Sequence, residues 1–128
     1  MGVKVTIKLD NSKINTLIEA QKKALEMTTE AVKSDIVTSA VVPKQTGELE
    51  ISHFVDTSQI DEMKTSINVS GPPYARRLYW HPEYNFRTDK NINAQGKWMQ
   101  PYIDGEKKDF AKNTFKINLK QLSRGLIK

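Results

Sequence analysis

Cysteine is absent from all 128 residues, which removes disulfides, thiolate catalysis and zinc knuckles together and fits an intracellular origin. No apolar run approaches the ~20 residues that a membrane-crossing helix needs, so no membrane partner is expected. MGVKVTIKLD lacks a basic stretch followed by an apolar one, so no secretory signal is read there. Like charges form no block of five or more. The chain contains no GxSxG, P-loop, GxGxxG, HExxH or EF-hand pattern. There are only two histidines. His53 alternates with apolar residues and reads as a partly buried structural histidine. His81 precedes a proline and reads as a turn cap. A small hydrolase would have to rest on one of these two, without a recognisable nucleophile beside it. Asp61 and Glu62 lie in a polar connection and read as solvated surface. We therefore expect no catalytic residues, no metal site, no cofactor and no enzymatic role.

A length of 128 residues suits a single domain, 1–128, with one modest core. The net charge of +5 and pI near 9.4 suit contact with nucleic acid or an acidic protein, or simple solubility. The basic excess is uneven: residues 101–128 hold seven Lys or Arg against three Asp or Glu.

Val3, Val5, Ile7 and Leu9 alternate with Lys4, Thr6 and Lys8, the period-two pattern of a strand over 3–9 with one buried face. Asp10, Asn11 and Ser12 offer helix-capping side chains. From Ile14 the apolar spacing (Leu17, Ile18, Ala24, Leu25, Ala31, Val32, Ile36) predicts an amphipathic helix over about 12–39, ended by Val41, Val42 and Pro43. It does not keep a strict heptad, so packing across a sheet is favoured over a coiled coil. Thr46-Gly47 predicts a turn with positive φ at the glycine. Alternation predicts strands over 49–55 and 63–69, most simply an antiparallel pair. Tyr74 to Trp80 fits a short helix or a return to the sheet. Residues 83–97 read as a long polar loop, and loops of more than ~12 residues are usually functional or disordered. Helical spacing resumes after Trp98, is better formed from Glu106, and has a stripe of Ala111, Phe115, Leu119, Leu122 and Leu126. Lys108, Lys112, Lys116, Lys120, Arg124 and Lys128 recur at every fourth residue, so the basic row winds slowly around that helix. The expected fold is α+β: an N-terminal and a C-terminal helix on a small, mainly antiparallel sheet, with a long loop around 83–97.

The densest stretch is Gly71–Tyr102, which holds seven of the ten aromatics and four of the five prolines. Arg76, Arg77, Arg87, Lys90 and Lys97 outnumber Glu83 and Asp89 there. Bases stacking on aromatic rings while Arg and Lys follow phosphates is one use of such interleaving. Burial of some rings beneath the loop is the other, and Tyr74 and Trp98 are expected in the core.

Three motifs in order, PKQTGEL, YARRLY and NINAQGKW, give the sequence a resemblance to the minor capsid, neck (head-tail joining) or tail-completion proteins of long-tailed phages. Pro43, Thr46, Gly47 and Leu49 match the first; Tyr74, Ala75, Arg76, Arg77, Leu78 and Tyr79 the second; Asn91, Asn93, Ala94, Gly96 and Trp98 the third. The resemblance spans about residues 14–120, with departures at Gln45, Glu50, Ile92 and Gln95. It implies a virion protein assembled in the host cytoplasm and placed in the neck as a homo-oligomeric ring, six- or twelve-fold. Head-closure or connector and tail-terminator proteins would be its neighbours, and packaged DNA a non-specific contact. With it we expect intersubunit or connector contacts from Arg76, Arg77, Tyr84, Phe86, Arg87, Lys90, Asn91 and Asn93. Lys108, Lys112, Lys116, Lys120 and Arg124 would face the DNA channel. Deleting 84–95 is expected to leave a folded monomer that cannot complete virions. The alternative is a nucleic-acid-binding accessory protein using the basic C-terminal helix and the aromatic loop.

Overall fold

In a computed structural model, the apolar spacing after Ile14 produces a helix, α1, over Asn11–Thr38. The structure describes residues 2–3, 11–45, 47–71 and 73–123. All of the expected 3–9 strand except Val3 therefore lies outside the described residues, as do Thr46, Arg124, Leu126 and Lys128.

Ala20, Ala24 and Thr28 recur at every fourth position of α1 and are buried. Small side chains in one row let a second helix approach closely, and α4 (Phe110–Leu122) packs there. The Asn118 amide donates to Thr28 Oγ1 at 3.3 Å. The covered face of α4 comprises Thr114, Phe115, Asn118 and Leu119. Ala111 and Leu122, expected in the stripe, are exposed instead. They fall outside the narrow strip that the small residues of α1 can cover. The first turns of α1 carry exposed Ile14 and Ile18.

Proline does not stop α1. It ends at Thr38, two residues before Ala40 turns left-handed at φ 56°. In the same last turn Asp35 accepts from Lys107 Nζ at 2.7 Å and from the Tyr102 hydroxyl. Burial acts to raise the Asp35 pKa, but those two hydrogen bonds outweigh it and hold the carboxyl below the usual range.

Gly47 has φ 88°, the positive value expected. The next residues form not a strand but a single helical turn, α2 (Glu48–Ile51). The alternation of Leu49 and Ile51 is also compatible with one turn, and Gly47 turns the chain into it, with Ile51 N–H bonded to Gly47 O at 3.0 Å. Strand β1 is the remainder, His53–Asp56, and β2 is Ser66–Val69, shorter than the expected 63–69. A 3-10 turn over Ile60–Glu62 and a left-handed Met63 at φ 58° take up the difference. The two strands are antiparallel, with His53 opposite Val69 and Asp56 opposite Ser66. Helix α3 is Ala75–Trp80, and a second 3-10 turn covers Gln100–Tyr102. The fold is α+β: the long N-terminal helix packs on a small two-stranded antiparallel sheet, and the C-terminal helix, expected on that sheet, packs on the N-terminal helix instead. Among the described residues no helix is long and apolar enough to cross a membrane.

Candidate assembly surface

The three motifs close on one point. Trp98 is 1% exposed and packs with Ile36, Val42 and Leu49. Leu49 comes from the first motif; Ala75, Leu78 and Tyr79 from the second line the same core. Tyr79 meets the indole edge-on, centroids 4.8 Å apart at 83°, a favoured aromatic geometry. Tyr74, expected in the core, is 44% exposed. It stands just before α3 begins, and Tyr79, five residues on and so about 140° further round the helix, takes the inward place.

His53 is buried behind the indole. Its Nδ1 is 3.0 Å from Leu49 O, and Nε2 is 3.0 Å from Trp98 Nε1. Indole N–H only donates, so Nε2 accepts and the proton sits on Nδ1, bonded to Leu49 O. Both nitrogens are committed within the core, which is the structural role expected of this histidine. Burial pushes the imidazole pKa below its ordinary 6.5. The unfolded chain therefore binds the proton more readily. The stability contributed by neutral His53 is complete above pH 6.5 and is lost as pH falls through that value towards the lowered one. We expect the His53 ring resonance of the folded protein to titrate below 6.5 and the thermal midpoint to fall on acidification from pH 7 to 5. A His53 titration at or above 6.5 contradicts this arrangement.

The long loop is two structures in series. From Asn91 to Lys97 it is stitched to the end of α1 and to α3. The Asn91 amide donates to Val42 O at 2.8 Å and to Glu50 Oε2 at 2.6 Å; Asn93 N–H donates to Ala40 O, Gln95 N–H to Val41 O and Lys97 N–H to Tyr79 O. Asn91, expected at an intersubunit contact, is thus a buried tether whose amide is used inside the subunit. Asn93 is exposed but spends its side-chain amide on Ser39 O at 3.0 Å. Lys90 donates to Gln45 O. Removing 84–95 would delete all of these bonds except that of Lys97, so such a deletion is expected to weaken the fold and not, as the sequence suggested, to leave it intact.

Residues 81–89 are the outward part. His81 accepts no core role; its ring stacks on Tyr84 at 4.7 Å and 6°, and its Nδ1 lies 2.7 Å from Glu83 Oε1. Tyr84 N–H bonds His81 O, the expected turn. Arg77 Nε donates to the Tyr84 hydroxyl at 3.1 Å. Phe86 lies 6.3 Å from Tyr84. Arg87 forks onto Asp89 at 2.7 and 2.5 Å and holds its carboxyl down to about 2. Arg77, Tyr84, Phe86 and Arg87 line one groove of about 510 Å³ with the 43–49 turn on its other wall. Arg87 and Lys44 already face Asp89 and Glu50. Among the described residues Arg77 has no carboxylate partner.

Arg76 points to the other side of α3, beside Trp80. Trp80 is 57% exposed, with Lys97 Nζ 5.8 Å from its ring centroid. Sequence reading missed it, because YARRLYW fits helix and strand alike and its outward phase is set only by the helix. Lys108, just before α4, and Lys112, Lys116 and Lys120 along it are exposed and do not line that groove. Among the described residues no group of three or more His, Asp or Glu is arranged to hold a metal ion. No family model, curated protein or solved structure matches this chain.

Proposed function

We propose that this protein is a non-catalytic structural subunit of the head–tail junction of a long-tailed phage, one copy of a neck ring between head connector and tail. The observation that carries the reading is the convergence of the three motifs, 43–49, 74–79 and 91–98, on Trp98. Of the residues responsible for the resemblance, Leu49, Leu78, Tyr79, Asn91 and Trp98 fix the core, and they hold Arg77, Tyr84, Phe86 and Arg87 outside it as a firmly seated aromatic and cationic surface. Such a surface suits protein contact first, because one face of Tyr84 is already taken by His81 and the arginines are partly paired. Gold-labelled antibody against this chain is expected to mark the junction of head and tail on particles of the parent phage. Label on the shell or tail tip, or none on intact particles, overturns the reading.

The nucleic-acid alternative draws on the four exposed lysines Lys108, Lys112, Lys116 and Lys120, three of them on α4. Titration of the purified protein on duplex DNA separates the two. Sub-micromolar binding with a log–log salt slope of about −3.6, the value for roughly four neutralised phosphates, would favour it.

A further inference from the structure

Among the described residues the sheet is open on one side. β1 covers one edge of β2, and among the described residues no backbone hydrogen bond joins Ser66–Val69 to any other element. A groove of about 400 Å³ follows this edge. It touches Ile67, Asn68 and Val69 in succession, and successive strand residues point to opposite faces, so the groove runs along the edge rather than over either face. Its far wall is Tyr79, Trp80 and Met99. A two-stranded sheet is marginal by itself, and an unpaired edge beside apolar walls is a template for another strand.

The chain contains one further strand pattern, residues 3–9, and the length of α1 limits how far it can reach within its own chain. Thr29 Oγ1 lies 2.6 Å from Thr65 Oγ1, which puts the start of β2 beside Thr29. From Asn11 to Thr29 the helix rises about 27 Å at ~1.5 Å per residue. Fully extended, residues 3–10 also span about 27 Å at ~3.4 Å each. Folded straight back, the segment would only reach the first residue of β2, with none left to lie along Ser66–Val69. Val3 is 94% exposed, and no heavy atom of another element lies within 4 Å of a Cβ built on Gly2.

We propose that residues 3–9 of a second copy of this chain add to the free edge of β2 as a third strand. Val3, Val5, Ile7 and Leu9 extend the apolar face that Ile67 and Val69 turn to the core, towards Tyr79 and Met99. Lys4, Thr6 and Lys8 fall on the opposite face, with Ser66, Asn68 and the Asp56 carboxylate to which Asn68 donates. The exchange concerns the protein in solution and does not rest on its place in a virion.

The lack of native cysteine makes the test clean. Chains carrying Thr6→Cys are mixed under mild oxidation with differently sized chains carrying Ser66→Cys or Asn68→Cys, so that any mixed disulfide is intermolecular. Phe54→Cys, on the same sheet face but in β1, and Lys112→Cys, on α4, serve as comparisons. Pairing holds the two sulfurs at millimolar effective concentration, and at least roughly ten-fold more mixed product is expected with the β2 cysteines than with either comparison. Equal yields, preference for Phe54→Cys, or a disulfide within single chains carrying both Thr6→Cys and Asn68→Cys overturns the proposal.

Discussion

Replacing Trp98 by alanine is expected to remove about 3–5 kcal/mol of folding stability, a large share of the ~5–15 kcal/mol typical of a domain. Trp98 is where α1, α2, β1 and α3 are bound together. Its ring fills the space between Ile36, Val42 and Leu49, and its loss leaves a cavity that the surrounding backbone is poorly placed to close. The edge-on contact with Tyr79 goes as well, worth about 0.5–1.5 kcal/mol. The indole N–H supplies the partner of His53 Nε2, and a buried acceptor left alone costs about 1–3 kcal/mol. Trp98→Phe separates the parts. It keeps much of the apolar volume but cannot donate, so its cost should lie near that last figure and well below that of alanine. Urea unfolding measures both. A loss under about 1.5 kcal/mol for Trp98→Ala would mean that the three motifs do not depend on this residue.

The contrast between α1 and the segment 49–55 shows what a sequence of this kind discloses. In α1 the helical spacing persists for seven turns, so random coincidence is averaged away, and the expected 12–39 differs from Asn11–Thr38 by one residue at each end. In 49–55 the alternation is short enough to suit a strand or a helical turn. The deciding contacts are non-local: His53 is drawn to Leu49 O on one side and Trp98 on the other, forty-five residues away. Tyr74 and Tyr79 illustrate the same limit. Both are apolar-bodied residues beside a proline-rich turn, and only the start of α3 at Ala75 determines which ring faces Trp98. For the surface, Arg77 and Tyr84 were legible as residue types. Their pairing was not, and neither was the inward turn of Asn91, because a polar loop sequence carries no mark of which amide will find Val42 O.

Gly96→Ala should be the second most damaging single change, for a reason unrelated to backbone freedom. Gly96 does not have positive φ; its constraint is space. A Cβ there would lie 2.7 Å from Pro82 Cα, 2.9 Å from Pro82 N and 3.2 Å from Leu78 O. All three are backbone atoms, one pair of them in a proline ring, so no side chain can rotate aside. Relief requires moving the loop away from the end of α3. The next residue resists that, since Lys97 N–H is bonded to Tyr79 O at 2.7 Å and Trp98 comes directly after it. Overpacking of this kind costs about 1–3 kcal/mol, and at roughly 4 °C per kcal/mol the thermal midpoint should fall by about 4–12 °C. Gly47→Ala offers the opposite case: its Cβ would meet only Lys44 Cε at 3.4 Å, but its φ of +88° strains any other residue, at a cost of about 1–2 kcal/mol. If Gly96→Ala melted like the parent protein, the 91–97 segment would not be clamped to α3. Arg77 and Tyr84, on either side of that clamp, would then lack the fixed relation on which the proposed contact surface depends.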